Sequence, residues 1–299
     1  MKTHFVDPLA KTRPMRRLEY KKPPRSMFRA GCLTLSGSAI ILGLIALVYL
    51  VAPLRTNVLL LGIDRPPEGT DLSRADTIIL TTIIPLKPYV GMLSIPRDLW
   101  ISIPGVGENR INTAHFYAEN ERAGTGPSAT LETIRQDFGV NVDYYVRVRF
   151  DSVQELADAL GGVEVELDTP TSGYPAGRHV LNGEQSLAFV RDRQGSDDFF
   201  RMSRGQFFLK SVGRQMLSPN YWPRLPNLVV VILDSVDTNL PIWLWPRLAF
   251  ALLRAGPGGI DARVISRDMV TPFTTSGGAQ VLGPRWDQIN PMLLEMFGQ

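Results

Sequence analysis

Asn57-Val-Leu-Leu-Leu-Gly-Ile63-Asp64, followed after a Pro/Gly loop (Pro66, Pro67, Gly69) by Asp76-Thr77-Ile-Ile-Leu-Thr-Thr-Ile-Ile84, decides the fold. The first run is short, apolar and closed by turn formers, the pattern of a strand buried on both faces. The second is dense in β-branched residues, which favour the pleated surface. Pro85-Leu-Lys-Pro88 then turns the chain into a third apolar run, Tyr89–Ile95. If consecutive strands pair as hairpins, the end of the first, the start of the second and the end of the third share one sheet edge. Asp64, Asp76, Arg97 and Asp98 are then neighbours by topology, with Arg74 just outside. Ligands commonly bind at such strand ends in open α/β sheets.

Downstream, Asp143–Phe150 alternates, with Tyr144, Val146, Val148 and Phe150 on one face and Tyr145, Arg147 and Arg149 on the other. Ser152-Val-Gln-Glu155 reads as a capping box opening a helix that stops at Gly161-Gly162. Val163–Leu167 is a further strand. Helices are expected from about Ser196 to Leu217, over Leu225–Val236, over Ile242–Arg254 and over Arg285–Phe297. The irregular alternation of strands and helices, with no repeat or Gly/Ser linker, predicts one α/β domain with a mixed sheet.

Toward the N-terminus the character changes. Residues 30–54 hold no charge, and 18 of these 25 are apolar, enough to cross about 30 Å of hydrocarbon at about 1.5 Å per residue. This run exceeds a signal-peptide core, and Pro53 after Ala52 disfavours cleavage, so an uncleaved transmembrane helix is expected. Residues 1–29 carry nine Lys/Arg against Asp7 and Glu19, which predicts a cytoplasmic tail and an extracytoplasmic domain over 55–299. With the tail at +7 and the chain at +3, the remainder is −4, which excludes a surface built to coat nucleic acid. One cysteine and three scattered histidines (His4, His115, His179) argue against structural zinc, a disulfide framework and a Cys-His dyad.

A second cationic group joins the first. Arg191 and Arg193 point to one side of an extended backbone, and Arg201 and Arg204 share one face of the long helix near its N-terminus. Many guanidinium groups, few carboxylates and no thiol suit a polyanion, since arginine forks bind phosphate oxygens bidentately. Paired aspartates are what Mg²⁺ requires when phosphates complete its shell. The bland reading of a single arginine is a surface residue, because 21 of the 23 cations from residue 55 onward are Arg. Arg135, Arg147 and Arg149 are assigned to that class, Asp197 and Asp198 to the helix dipole and Asp151 to a cap. Trp222, Trp243, Trp245 and Trp286 are read as core or interfacial packing, and His115 and His179 have no visible partners.

Taken in order, Asn57–Asp64, Arg74-Ala-Asp76-Thr77, Leu93-Ser-Ile-Pro-Arg97-Asp98, Arg110-Ile-Asn112, Ala159-Leu-Gly-Gly-Val163, Leu181-Asn-Gly-Glu-Gln185, Val190-Arg191-Asp-Arg193, Asp198-Phe-Phe-Arg201 and Arg204 resemble the LytR-CpsA-Psr family across about residues 55–217. The resemblance implies a three-layer α/β/α sandwich with a mixed central sheet. It implies a membrane-anchored bacterial phosphotransferase that moves a glycopolymer from a polyprenyl-pyrophosphate carrier onto peptidoglycan with Mg²⁺. It implies Mg²⁺ contact through Asp64 and Asp76, and pyrophosphate contact through Arg74, Arg97, Arg110, Arg191, Arg193, Arg201 and Arg204. Arg97 would act in the chemistry, and Asp76 and Asp98 both stand as the general base. An apolar tunnel for the lipid would be lined by Val146, Val148, Phe207, Phe208 and Leu209, with ordinary core as the alternative. Phe200 stands where the family usually has Gly, and Gly205 where it has a phosphate-contacting Gln. A non-catalytic polyprenyl-phosphate binder or regulator, and a polyprenyl-pyrophosphate hydrolase, are the rival readings.

Overall fold

The computed structural model describes residues 25–298 apart from Pro53, Arg65, Lys87 and 193–197, with side chains from residue 38 onward apart from Pro257. Helix α1 runs Arg25–Val51. Strands β1 (Thr56–Ile63), β2 (Ala75–Ile84) and β3 (Tyr89–Ser94) form the expected meander, and a small hairpin, β4 (Trp100–Ile103) with β5 (Gly107–Arg110), follows. Two helices, α2 (Thr113–Glu121) and α3 (Gly126–Phe138), lead to β6 (Tyr144–Arg149), α4 (Phe150–Leu160) and the hairpin of β7 (Val163–Leu167) with β8 (Gly177–Leu181). Then come α5 (Gly183–Arg191), α6 (Asp198–Leu217), α7 (Leu225–Ser235), β9 (Val236–Thr238) and α8 (Trp245–Ala255). The chain closes with β10 (Ile260–Val264), the hairpin of β11 (Val270–Thr274) with β12 (Gln280–Pro284), and α9 (Trp286–Phe297).

The central sheet has the order β10-β3-β2-β1-β6-β9. It is mixed: β1 pairs β2 antiparallel and β6 parallel, while β10 adds parallel to β3. Helices pack on both faces. On one, Leu59, Leu61, Ile78, Leu80 and Leu93 meet Leu131 and Ile134 of α3 and Ile289 and Met292 of α9. On the other, Ile79, Val90 and Met92 meet Leu252 and Ala255 of α8. A separate apolar cluster joins α4, β7, α5, α6 and α7 around Phe189 and Phe208.

Several local expectations are revised. The helix after β6 begins at Phe150, and Ser152 lies inside it, buried, so Ser152 and Glu155 form no capping box. The strand runs straight into the helix through extended Arg149, leaving no loop to cap. Asn182 and Gln185 do form one, each side chain accepting from the other's backbone N–H at the start of α5. Gly161 stops α4 as expected, at φ 79°, where its N–H can reach Asp158 O. Trp286 packs edge-on against Phe138, but Trp222 and Trp243 are exposed and belong to no core.

Among the described residues no helix is long and apolar enough to cross a membrane. Helix α1 covers most of the segment 30–54 expected to span one and ends at Val51. The side chains of 30–37 and the whole of 1–24 lie outside the described residues, as does Arg193.

Candidate functional site

The ends of β1, β2 and β3 do meet at one sheet edge, stitched by Ala75 N to Asn112 O and Asn112 N to Arg97 O. The register of β1 against β2 slips there. Gly62 faces Thr77 and Ile63 faces Ala75, so Asp76 is the extra residue of a β-bulge. Bulges re-aim a side chain at a sheet margin, and here the carboxylate receives Arg97 Nη1 at 2.7 Å.

Arg97 is the hub. Its Nε lies 3.2 Å from Asp198 Oδ1 and 3.6 Å from Asp98 Oδ2, near enough to attract but not aligned for a hydrogen bond. Burial works against its charge, yet the Asp76 bond and the fields of Asp198 and Asp98 hold its pKa above the ordinary value. Asp198 opens α6 and ion-pairs Arg201 at 2.5 Å, while Arg201 Nη2 also reaches Asp76 O at 3.4 Å. Burial pushes the Asp198 carboxyl pKa up, against the pull of Arg201 and Arg97. Arg110, at the end of β5, sits 3.1 Å from Asp98 and donates to Gln280 O. Together Ser73, Arg74, Asp76, Arg97, Asp98, Arg110 and Asn112 line a cleft of about 490 Å³.

Beside this cleft, Arg191, in the last turn of α5, ion-pairs Asp64, and its Nη2 is 2.9 Å from Asp151. Asp151 is thus an arginine partner and not a cap. Arg204 is turned away: it is buried and donates to Asp192 O and, at 3.1 Å, to Ser172 Oγ. Its role in the described structure is to hold the segment after α5. Phe200 is exposed, and with Phe199 it packs under the Arg267 guanidinium. A Cβ on Gly205 would meet nothing within 4 Å. Of the five apolar residues expected to line a tunnel, Val146 and Val148 are half-buried on the sheet face they share with Leu60. Phe208 is buried in the helical cluster, Phe207 packs against it and Leu209 is exposed.

Three assignments change. Arg147 is no surface residue: it is 5 % exposed and meets Glu119 at 2.5 Å, Asp71 at 2.7 Å and Asp237 at 2.8 Å. Arg149 adds a second hold on Asp71 and Thr70 O. His115 is fully buried, with Nδ1 2.7 Å from Ser73 O and Nε2 3.2 Å from Arg147. A proton on Nδ1 donated to Ser73 O leaves Nε2 to accept from Arg147. The loop carrying Arg74 is therefore tied from beneath through Asp71 and Ser73. Asp198 does open α6, where the helix dipole favours a carboxylate, but it also stands between two site arginines, Arg97 and Arg201. Its spacing of three from Arg201 on one helix face was the available signal.

The chain is thus a mixed α/β domain that gathers arginines and aspartates around an open cleft at one sheet edge, and guanidinium groups have the geometry that suits phosphate esters. The LytR_cpsA_psr family model matches residues 53–271, and the chain belongs to that family. It is 32% identical over 190 residues to a polyisoprenyl-teichoic acid–peptidoglycan teichoic acid transferase, TagU, of Oceanobacillus iheyensis, covering 62% of this chain and 58% of that protein. It is 28% identical over 195 residues to the regulatory protein MsrR of Staphylococcus aureus, covering 62% and 57%. The chain thus spans under six-tenths of the length of these relatives. Its fold matches the structure of TagT bound to LIIa-WTA with a TM-score of 0.64 at 24% identity, over 82% of this chain and 91% of that one.

Proposed function

We propose that the protein is a phosphotransferase of the bacterial envelope, anchored in the plasma membrane by residues 30–54 with its catalytic domain outside. It moves a glycopolymer from a polyprenyl-pyrophosphate carrier onto peptidoglycan. The observation that carries this reading is Arg97: a guanidinium drawn between Asp76, Asp98 and Asp198, beside Arg201 and Arg110, at the rim of an open cleft. The TagU name supports the acceptor and the carrier class.

In this reading Arg74, Arg97, Arg110, Arg191 and Arg201 neutralise the pyrophosphate and the charge that develops on the transferring phosphoryl oxygens. A peptidoglycan hydroxyl attacks the glycan-bearing phosphorus, the bond to the bridging oxygen breaks, and polyprenyl phosphate leaves. The hydroxyl proton passes to a carboxylate, Asp76 or Asp98. Direct transfer is preferred to a covalent enzyme intermediate because Ser73, the hydroxyl lining the cleft, already donates to Asp64 O at 2.8 Å. The lipid would follow the half-buried sheet face of Val146 and Val148 toward Phe207 and Leu209. Arg204 would support the site from behind.

Asp64 and Asp76 are the residues that would hold Mg²⁺. Among the described residues no three His, Cys, Asp or Glu side chains converge as a metal cage. Two carboxylates at one sheet edge nevertheless fit Mg²⁺, which is bound through one or two carboxylates plus substrate phosphates. The ion would add positive charge where the phosphoryl oxygens lie, in company with the arginines.

The test measures transfer and carrier-lipid affinity side by side, with labelled lipid-linked glycan and peptidoglycan, with and without Mg²⁺. Charge-assisted bonds contribute about 1.5–3 kcal/mol each, so Arg97→Ala, Arg191→Ala or Arg201→Ala should weaken lipid binding by roughly ten- to a hundredfold. Asp76→Ala should abolish transfer yet keep most of the lipid affinity. Wild type that binds the lipid without Mg²⁺-dependent transfer would favour the binding or regulatory reading, which the MsrR name also suggests. Released glycan phosphate without peptidoglycan product would favour a hydrolase.

A further inference from the structure

We infer that Ile242–Ala255 is a membrane-surface element that lies flat on the lipid bilayer, a second contact beside the anchor; this rests on the proposed membrane anchoring. The segment packs Ala251 and Leu252 inward and leaves Arg254 exposed at its far end, yet it also turns large apolar side chains outward. Its one buried cation, Arg247, points into the protein at 3 % exposure, whereas Ile242 is 70 %, Trp243 66 % and Leu253 53 % exposed. Pro246 and Ala249 are exposed as well, so apolar residues recur along the outward side from the 3-10 turn Ile242–Leu244 through α8. No acidic residue lies between Asp237 and Asp261. An apolar outward face with tryptophan and without carboxylates is the composition of an interfacial helix.

Placement identifies lipid as the occupant. Arg247 Nη2 donates to Ala52 O at 3.0 Å and to Leu54 O, and Tyr49 OH donates to Trp243 O. The start of the element is thereby fastened to the stretch of chain that emerges from the apolar run. At the other end, Arg254 Nη1 donates to Pro85 O at 2.9 Å. Thr56 pairs with Ile83, so the entry of the chain into β1 and the Pro85 turn lie at the same sheet edge. Helix α8, about 16 Å long at 1.5 Å per residue, is therefore strung along that edge, across the strands. Leu54 and Leu86, 62 % and 52 % exposed, flank its two ends. With residues 30–54 in the bilayer, an element hydrogen-bonded to Ala52 stands at the hydrocarbon boundary. The arginine cleft lies at the opposite end of β1, roughly 26 Å away for eight residues at 3.3 Å each.

The experiment uses the full chain with Cys32→Ser and single substitutions Ile242→Cys, Ala249→Cys, Leu253→Cys, Val180→Cys and Ile41→Cys. Each is labelled with an environment-sensitive fluorophore and reconstituted in phosphatidylethanolamine/phosphatidylglycerol vesicles. Nitroxide-bearing lipid should quench positions 242, 249 and 253 several-fold more than position 180, whose Val is 60 % exposed on β8. Aqueous iodide should show the reverse order. Positions 242, 249 and 253 behaving like 180 would overturn the inference. So would shielding from both quenchers together with disulfide cross-linking between chains in the same variants left unlabelled, which assigns the face to a second copy. Position 41 reads the anchor separately: its failure to meet lipid refutes the anchor, while the other three still decide the surface element.

Discussion

Replacing Arg147 by methionine withdraws the cation around which Glu119, Asp71 and Asp237 are gathered. The three carboxylates differ in how readily water can replace it: their side chains are 2 %, 25 % and 45 % exposed. Asp237 and Asp71 rehydrate in place, and Asp71 keeps Arg149 at 2.7 Å. Glu119 has no such recourse, although the Gly124 and Gly126 amides still donate to it. His115 Nε2 loses its donor as well. Removing one partner of a buried ion pair costs about 3–5 kcal/mol, and the retained amides place the loss near the lower figure, about 3 kcal/mol. At about 2–4 °C per kcal/mol for a domain of this size, the melting temperature should fall by roughly 6–12 °C. The assay is a thermal melt of the detergent-solubilised full chain beside Arg135→Met. Arg135 pairs Glu132 and Asp143, carboxylates that are 56 % and 60 % exposed, and such surface pairs contribute about 0–1 kcal/mol. An Arg147→Met protein melting within about 2 °C of Arg135→Met would falsify the view that this network pins the loop beneath Arg74.

His115 supplies a pH dependence. Burial, and after it the Arg147 charge, hold its pKa below the ordinary imidazole value in spite of the Ser73 carbonyl and the nearby Glu119 and Asp71. The unfolded chain takes up this proton near about pH 6.5, and the folded protein only at lower pH. Stability from this group is therefore present above the unfolded pKa and lost as pH falls below it. The stability difference between wild type and His115→Gln, followed by denaturant titration, should shrink from pH 7 to pH 5. Gly205→Gln should be tolerated, since its Cβ enters open space in α6, and should gain about 0.5–1 kcal/mol from helix propensity. A drop in melting temperature on that substitution would show that the neighbouring surface is not open.

Residues 56–95 carried their structure openly. Apolar and β-branched runs separated by Pro/Gly turns favour pairing as a meander, and the meander brings Asp64, Asp76 and Arg97 to one edge. Helix α6 was equally legible, found at Asp198–Leu217 where a helix from about Ser196 to Leu217 is expected. The bulge at Asp76 was hidden, for a register slip is settled by pairing across two strands and leaves no local mark. The fate of each arginine was hidden for the same reason. Arg147 alternates with Val146 and Val148 like any outward residue, and only the packing of α2 and the loop over that face turns it into a buried hub. Likewise Arg201 and Arg204, three residues apart in one helix, part company because Asp198 and Asp76 face the first while Asp192 and Ser172 surround the second. Residue type and spacing determined by themselves that arginines and aspartates would gather at one sheet edge. Which charges remain open to a ligand was decided by the tertiary structure, since a guanidinium's role depends on which carboxylates long-range contacts bring within its reach.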